Sequence, residues 1–215
     1  MENKELLFSE YLNSKIKNEF INKIIDICKK LGIEPNWLMF VIYKESRFNP
    51  HAVNKETKAT GLIQFMPNTA IYLGTTVDNI YNMNEIEQLD YVYKYLKTYK
   101  TKLTDAFSVY SAIFFPRMLY KDDDYVLDLK EVNISPEQIS KQNKTFDLNN
   151  DNKITKKEFR EWFNKEYKKI ENKFDNNNDK NNDKKNLKIV LLVTSSITLI
   201  LAGLGIVFFS NNKNK

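Results

Sequence analysis

Residues 45–54 read Glu45-Ser46-Arg47-Phe48-Asn49-Pro50-His51-Ala52-Val53-Asn54, and residues 60–67 read Thr60-Gly61-Leu62-Ile63-Gln64-Phe65-Met66-Pro67. Ahead of them, Pro35 suits the first turn of a helix that carries Trp37, Leu38, Phe40, Val41 and Ile42 into a core and ends around Ser46. Glu45 therefore stands in the last turn of an apolar helix, just before the turn signal Asn49-Pro50. A carboxyl held there against aromatics loses part of its hydration, which raises its pKa. A general acid working near neutral pH needs such a shift. Position alone is weak grounds, because most glutamates at helix ends are simply exposed.

Outward from this stretch, the patterns stay helical. A helix through Ile21, Ile24, Ile25 and Cys28 should stop near Gly32, a favourable residue just past a helix end. Further patterns start near Pro67 and run from Glu85 to Tyr99 and from Thr104 to Phe115, where Pro116 stops the last. With only 5 glycines in 215 residues and few alternating β-branched runs, a sandwich or barrel is disfavoured and a mainly α fold is expected. The single cysteine, Cys28, cannot staple the fold and reads as a small packed hydrophobe. His51, the only histidine, reads as an exposed loop residue. The net charge of +5 favours an anionic partner. No interleaving of basic and aromatic residues points to nucleic acid, and none is expected as partner.

A second signal lies at Asp147-Leu148-Asn149-Asn150-Asp151-Asn152-Lys153-Ile154-Thr155-Lys156-Lys157-Glu158. Asp147, Asn149 and Asp151 occupy positions 1, 3 and 5 of a twelve-residue calcium loop. Lys153 offers a carbonyl at position 7, and Glu158 closes the loop at position 12. Asn152 stands where glycine is usual, and asparagine is the next best residue at positive φ. Ser135-Pro136-Glu137 starts a helix before the loop, and Phe159 to Phe163 continues one after it. This spacing predicts a structural calcium ion in an EF-hand-like helix–loop–helix, with no cofactor for catalysis.

The C-terminal end differs in kind. Residues 172 to 188 are too polar to bury anything and read as a disordered linker. Residues 189 to 209 are apolar and uncharged, long enough to cross about 30 Å of hydrocarbon as a single transmembrane helix. Residues 210 to 215 form a tail. Lysines flank the apolar run on both sides, so charge does not set its orientation. No signal peptide is visible at the N-terminus. The expected organisation is a catalytic domain at 1 to 127, the helix–loop–helix at 128 to 171, and then linker, anchor and tail.

The two opening stretches resemble linked motifs of the soluble lytic transglycosylase family, within the lysozyme-like superfamily. They match Glu-Ser followed by Phe-x-Pro-x-Ala-x-Asn, and then Gly-Leu-x-Gln-x-Met-Pro. The resemblance covers roughly residues 30 to 120 and implies a lysozyme-like helical domain cradling a glycan strand. It implies that Glu45 is the catalytic acid and base, that Ser46 sits beside it and contacts substrate, that Gln64 lines the cleft by hydrogen bonds, and that Met66 packs on a sugar face. Tyr110 corresponds to the tyrosine of a later Ala-Tyr-Asn-x-Gly motif, though Val109-Tyr110-Ser111-Ala112-Ile113 lacks its asparagine and glycine. The implied reaction cuts the MurNAc–GlcNAc β-1,4 bond of peptidoglycan and leaves a 1,6-anhydro end. A hydrolytic muramidase using a second carboxylate (Glu56, Asp78 or Glu85) and a non-catalytic membrane protein binding glycan or calcium are the alternatives. The ending Phe114-Phe115-Pro116 resembles a phage-type branch, and with the anchor it suggests a virion or host cell membrane.

Overall fold

The computed structural model describes residues 5–128 and 134–180, which fall into two units, one ending at Tyr120 and the other starting at Lys121. In the first, helix α1 (Lys17–Leu31) stops where Gly32 turns left-handed (φ 76°) and its N–H bonds to the Cys28 carbonyl. Helix α2 (Pro35–Ser46) opens on Pro35, as its fixed φ favours. Helix α3 (Pro67–Tyr72) opens on Pro67 in the same way. The Thr76 hydroxyl caps α4 (Val77–Asn82), accepting from the Asn79 N–H. Reciprocal side-chain and backbone bonds start both α5 (Glu85–Lys97), at Asn84 and Glu87, and α6 (Ala106–Phe114), at Asp105 and Ser108.

Helix α1 packs on α2 and α5, and α2 packs on α6. Five successive α2 residues, Leu38 to Ile42, are buried, so this helix is enclosed on nearly every side. Phe20, Ile24 and Ile27 of α1, Leu89, Val92 and Leu96 of α5, and Val109 and Ala112 of α6 are buried in the same unit. Each fully buried aliphatic or aromatic side chain stabilises by roughly 1.5–3 kcal/mol. Cys28 is wholly buried, and desolvation pushes its thiol up to about 12, so it is an inert packing residue. Trp37 is only half-buried, at the solvent edge of α2. Two elements carry too little periodicity to have been anticipated. One is α4, a helix of six residues. The other is the N-terminal segment, where Leu6, Leu7 and Phe8 are buried, the Leu7 N–H donates to Asn36 Oδ1, and Phe8 stacks on Tyr43 at 4.0 Å.

Between α2 and α3 the chain folds into short antiparallel pairings, Val53 with Thr60 and Thr60 with Phe65. One buried side chain from α5 holds this loop. Gln88 accepts the Leu62 N–H at Oε1 (2.8 Å) and donates from Nε2 to the carbonyls of Pro50 (2.7 Å) and Ile80 (2.8 Å). Gly61 makes room for it: a Cβ there would sit 2.3 Å from Gln88 Oε1, on a backbone already at φ 83°.

In the second unit, α7 (Pro136–Gln142) and α8 (Lys156–Lys180) flank the predicted loop. Ile139, Phe146, Ile154, Phe159 and Phe163 form its core, and Phe146 lies 4.3 Å from Trp162. By their contacts the described residues divide after Tyr120, and Tyr125 to Leu127 pair with Ile154 to Lys156. The bonds are Leu127 N–H to Ile154 O and Lys156 N–H to Tyr125 O, both 2.8 Å. Helix α8 continues through the first residues of the expected linker as far as Lys180. That stretch lacks glycine and proline, and an established helix needs only one further bond per residue to extend. The rest of the expected linker, the apolar run 189–209 and the tail lie outside the described residues. Among the described residues no helix is long and apolar enough to cross a membrane.

Replacing Gln88 with leucine keeps the volume and strands the Leu62 N–H and the Pro50 carbonyl. Gln88→Leu should cost at least about 2 kcal/mol, read from urea or guanidinium unfolding. An unchanged midpoint would show that the loop does not depend on this amide.

Candidate active site

The last turn of α2 delivers Glu45, and the next two residues reverse the chain. Arg47 (φ 53°) and Phe48 (φ 62°) are both left-handed without being glycine, a conformation costing of order 1–3 kcal/mol at each. Phe48 is buried, with its ring 5.7 Å from both Tyr43 and Phe20, so core packing holds the strained turn in place. The reversal carries Pro50 to Gln88 and Ala52 to Gly61, whose N–H donates to the Ala52 carbonyl at 2.9 Å. Residues 45–54 and 60–67 thus meet beside Glu45.

Ser46 and Gln64 help make that junction. Ser46 Oγ donates to the Leu62 carbonyl at 2.9 Å, with the Ile42 carbonyl at 3.3 Å. Gln64, itself left-handed at φ 54°, donates from Nε2 to the carbonyls of Gly61 (3.0 Å) and Ala52 (3.2 Å). Their donors therefore join the two stretches to each other, and what they can offer a ligand is acceptor oxygen. Met66 is half-buried at the N-cap of α3.

Glu45 is partly accessible, yet desolvation pushes its carboxyl up to about 7, against a small opposing effect of the Lys44 ammonium. Among the described residues it makes no hydrogen bond or ion pair. Tyr110 of α6 is buried next to it, and the Glu45 charge adds to the burial that keeps its hydroxyl protonated. The α2–α6 packing thus brings Tyr110 to Glu45 although the motif around it is altered. Ser111, in place of the motif's asparagine, is fully buried and its hydroxyl has no hydrogen-bond partner among the described residues. Glu56 and Asp78 are exposed and Glu85 lies in the first turn of α5. None of the three figures among the charges that shift Glu45. His51 is exposed, with Nδ1 2.7 Å from the Tyr81 carbonyl.

Gln88 is the residue the motifs did not reveal. It lies outside both stretches, and a lone glutamine on an apolar helix face gives no signal until its four backbone partners, Leu62, Pro50, Ile80 and Met83, are in place.

In the second unit, the twelve-residue loop is held by its own side chains. Asp147 accepts from the Asp151 N–H (3.2 Å), the Asn152 N–H (3.0 Å) and Ser140 Oγ (2.7 Å). Asn152 is left-handed at φ 64°, as its position requires. Asn149 Oδ1 accepts the Asp151 N–H, and Asp151 Oδ1 accepts the Lys153 N–H. Glu158 is buried and accepts from the N–H and hydroxyl of Thr155. Among the described residues no three of His, Cys, Asp and Glu converge as a metal-holding group. The loop's oxygens come instead from two aspartates, an asparagine, a glutamate and a main-chain carbonyl, a mixture that suits a hard cation.

The Glu45 shift has a measurable consequence. Its folded pKa of about 7 lies above the ordinary 4.5, so the folded state binds an extra proton between these values. That stabilising contribution is complete below the ordinary pKa and is lost as pH rises through about 7. Glu45→Gln should therefore equal the parent in stability near about pH 4 and exceed it near about pH 8 by up to roughly 3 kcal/mol. Equal stability at both pH values would mean that the carboxyl is well hydrated.

No curated protein and no solved structure matches the chain. A protein-family model does, and it spans the helices that position Glu45, Gln64, Gln88 and Tyr110: residues 22–122 match the transglycosylase SLT domain.

Proposed function

We propose that the first unit is a lytic transglycosylase that cuts the MurNAc–GlcNAc β-1,4 bond of peptidoglycan, with Glu45 as its acid and base. The observation that carries this is a half-neutral carboxyl near pH 7, set where two motif stretches meet, inside a match to the transglycosylase SLT domain. In the first step Glu45 gives its proton to the glycosidic oxygen as the C1–O bond breaks. The N-acetyl carbonyl oxygen of the same MurNAc takes C1. In the second step the C6 hydroxyl attacks C1, Glu45 takes its proton, and the N-acetyl group is released. The product is a 1,6-anhydro end, with no water consumed and Glu45 returned to its starting state. Lys44 is the charge that acts on Glu45, which favours this one-carboxylate route over a muramidase with a second acid. Ser46, Gln64, Met66 and Tyr110 are proposed to shape the glycan site around it.

The second unit is proposed to hold a structural calcium ion through Asp147, Asn149, Asp151, the Lys153 carbonyl and Glu158. The ion would neutralise the loop carboxylates now tied to main-chain N–H groups. Residues 189 to 209 are proposed to anchor the protein in a virion or host cell membrane, so that it opens the wall locally during phage entry or lysis.

Muropeptides released from purified peptidoglycan by the full chain in mild detergent, analysed by mass spectrometry, test the reaction. Anhydro ends should appear and should vanish in Glu45→Gln. Reducing ends, or undiminished release by the variant, would overturn the assignment. Its kcat/KM should fall as pH rises through about 7, because the first step needs the protonated acid. Calorimetric titration of the parent should show one calcium site per chain that Glu158→Gln weakens. No heat at millimolar calcium would reject the ion.

A further inference from the structure

Helices α1 and α5 run in the same direction. Lys23 Nζ, early in α1, reaches the Ile86 carbonyl and Asp90 near the start of α5, each at 2.8 Å. Lys30, at the end of α1, lies over Tyr93 further along α5. Their C-terminal ends therefore meet. Lys29 and Lys30 stand at one, Lys94 and Lys97 at the other, and Lys100 and Lys102 come next in a 3-10 turn (Lys100–Lys102). Lys30 and Lys97, from different helices, approach the same Tyr93 ring at 5.6 and 5.9 Å.

The lysines along this seam differ in how they are satisfied. Lys23 is paired with Asp90 and Lys30 with Asp26. Lys29, Lys94, Lys97, Lys100 and Lys102 are exposed and make no ion pair among the described residues. Basic residues at helix C-termini complement the helix dipole, but each dipole amounts to only about half a charge. Two such ends offset about one lysine, which leaves a clear excess of positive charge on the surface where these ends meet. Tyrosine faces steady part of it, with Lys94 4.4 Å from the Tyr91 ring and Lys102 5.4 Å from that of Tyr120.

We propose that this face binds an anionic polymer of the cell wall carrying phosphodiester groups, and so holds the first unit on the matrix that contains its substrate. The proposal rests on the peptidoglycan reading for its setting but not on catalysis. Peptide stems carry amines as well as carboxylates, so they present mixed charge. A polyphosphodiester presents one sign at every repeat, which suits five lysines with no carboxylate partner.

The test is co-sedimentation of the full chain, in mild detergent, with purified walls before and after chemical removal of their phosphodiester polymers. The parent should pellet with intact walls and lose most binding on stripped ones, with steep salt dependence. Lys94→Gln/Lys97→Gln/Lys100→Gln should weaken binding to intact walls about tenfold, as loss of three phosphate contacts implies. The exposed triple Lys15→Gln/Lys55→Gln/Lys144→Gln, with the same net charge, should bind as the parent does. Glu45→Gln should also pellet like the parent, so failure of the catalytic reading leaves this result standing. Equal binding by both triples, or undiminished binding to stripped walls, would overturn the proposal. So would capture by anionic lipid vesicles that matches capture by walls and is lost in the first triple, since that would make the surface a membrane contact.

Discussion

One buried amide joins what the chain keeps apart. Gln88, on α5, is hydrogen-bonded to Pro50 of the first stretch, Leu62 of the second and Ile80 of α4. Without it, the Leu62 N–H and the Pro50 carbonyl would be buried with nothing to satisfy them, at a cost of about 1–3 kcal/mol each. Gly61 is required for the same reason, because any side chain there would occupy the space of the Gln88 amide. The position of the loop against Glu45 thus depends on a residue remote from both stretches.

The same logic governs Glu45. Its carboxyl is kept partly neutral by dehydration and not by a neighbouring acid. Dehydration at a helix end requires the chain to turn back over that end, and Arg47 and Phe48 supply the turn in a conformation neither residue prefers. The aromatic packing of Phe48 against Phe20 and Tyr43 holds it. Strain, core packing and acidity are therefore parts of one arrangement.

The helices of the first unit were legible where caps and stops are explicit: Gly32 after α1, Pro35 and Pro67 at helix starts, and Pro116 after α6. The place of Glu45 in the last turn of α2 was legible because the signals around it are local. What escaped depends on partners distant in sequence. Gln88 has no local signature, the N-terminal segment docks on α2 through single contacts such as Leu7 with Asn36, and α4 is too short for periodicity to register. Lys121 to Leu127 resemble the first unit in composition, while their hydrogen bonds belong to the second, and such long-range pairing leaves no local signal. Within the loop, by contrast, Asn152 adopts the left-handed turn that its place in the register demands.

The pairing of Tyr125 to Leu127 with Ile154 to Lys156 also bears on how the protein can be divided. The twelve-residue loop leans on a neighbouring segment, residues 125–127, through these bonds. A break after Leu127 would leave the edge of the second unit bare, with the Ile154 carbonyl and Lys156 N–H open to solvent and ready to recruit another chain. A break after Tyr120 would leave every one of these bonds intact. The seven residues from Lys121 to Leu127 belong to the second unit by their hydrogen bonds, although in sequence they pass for a tether.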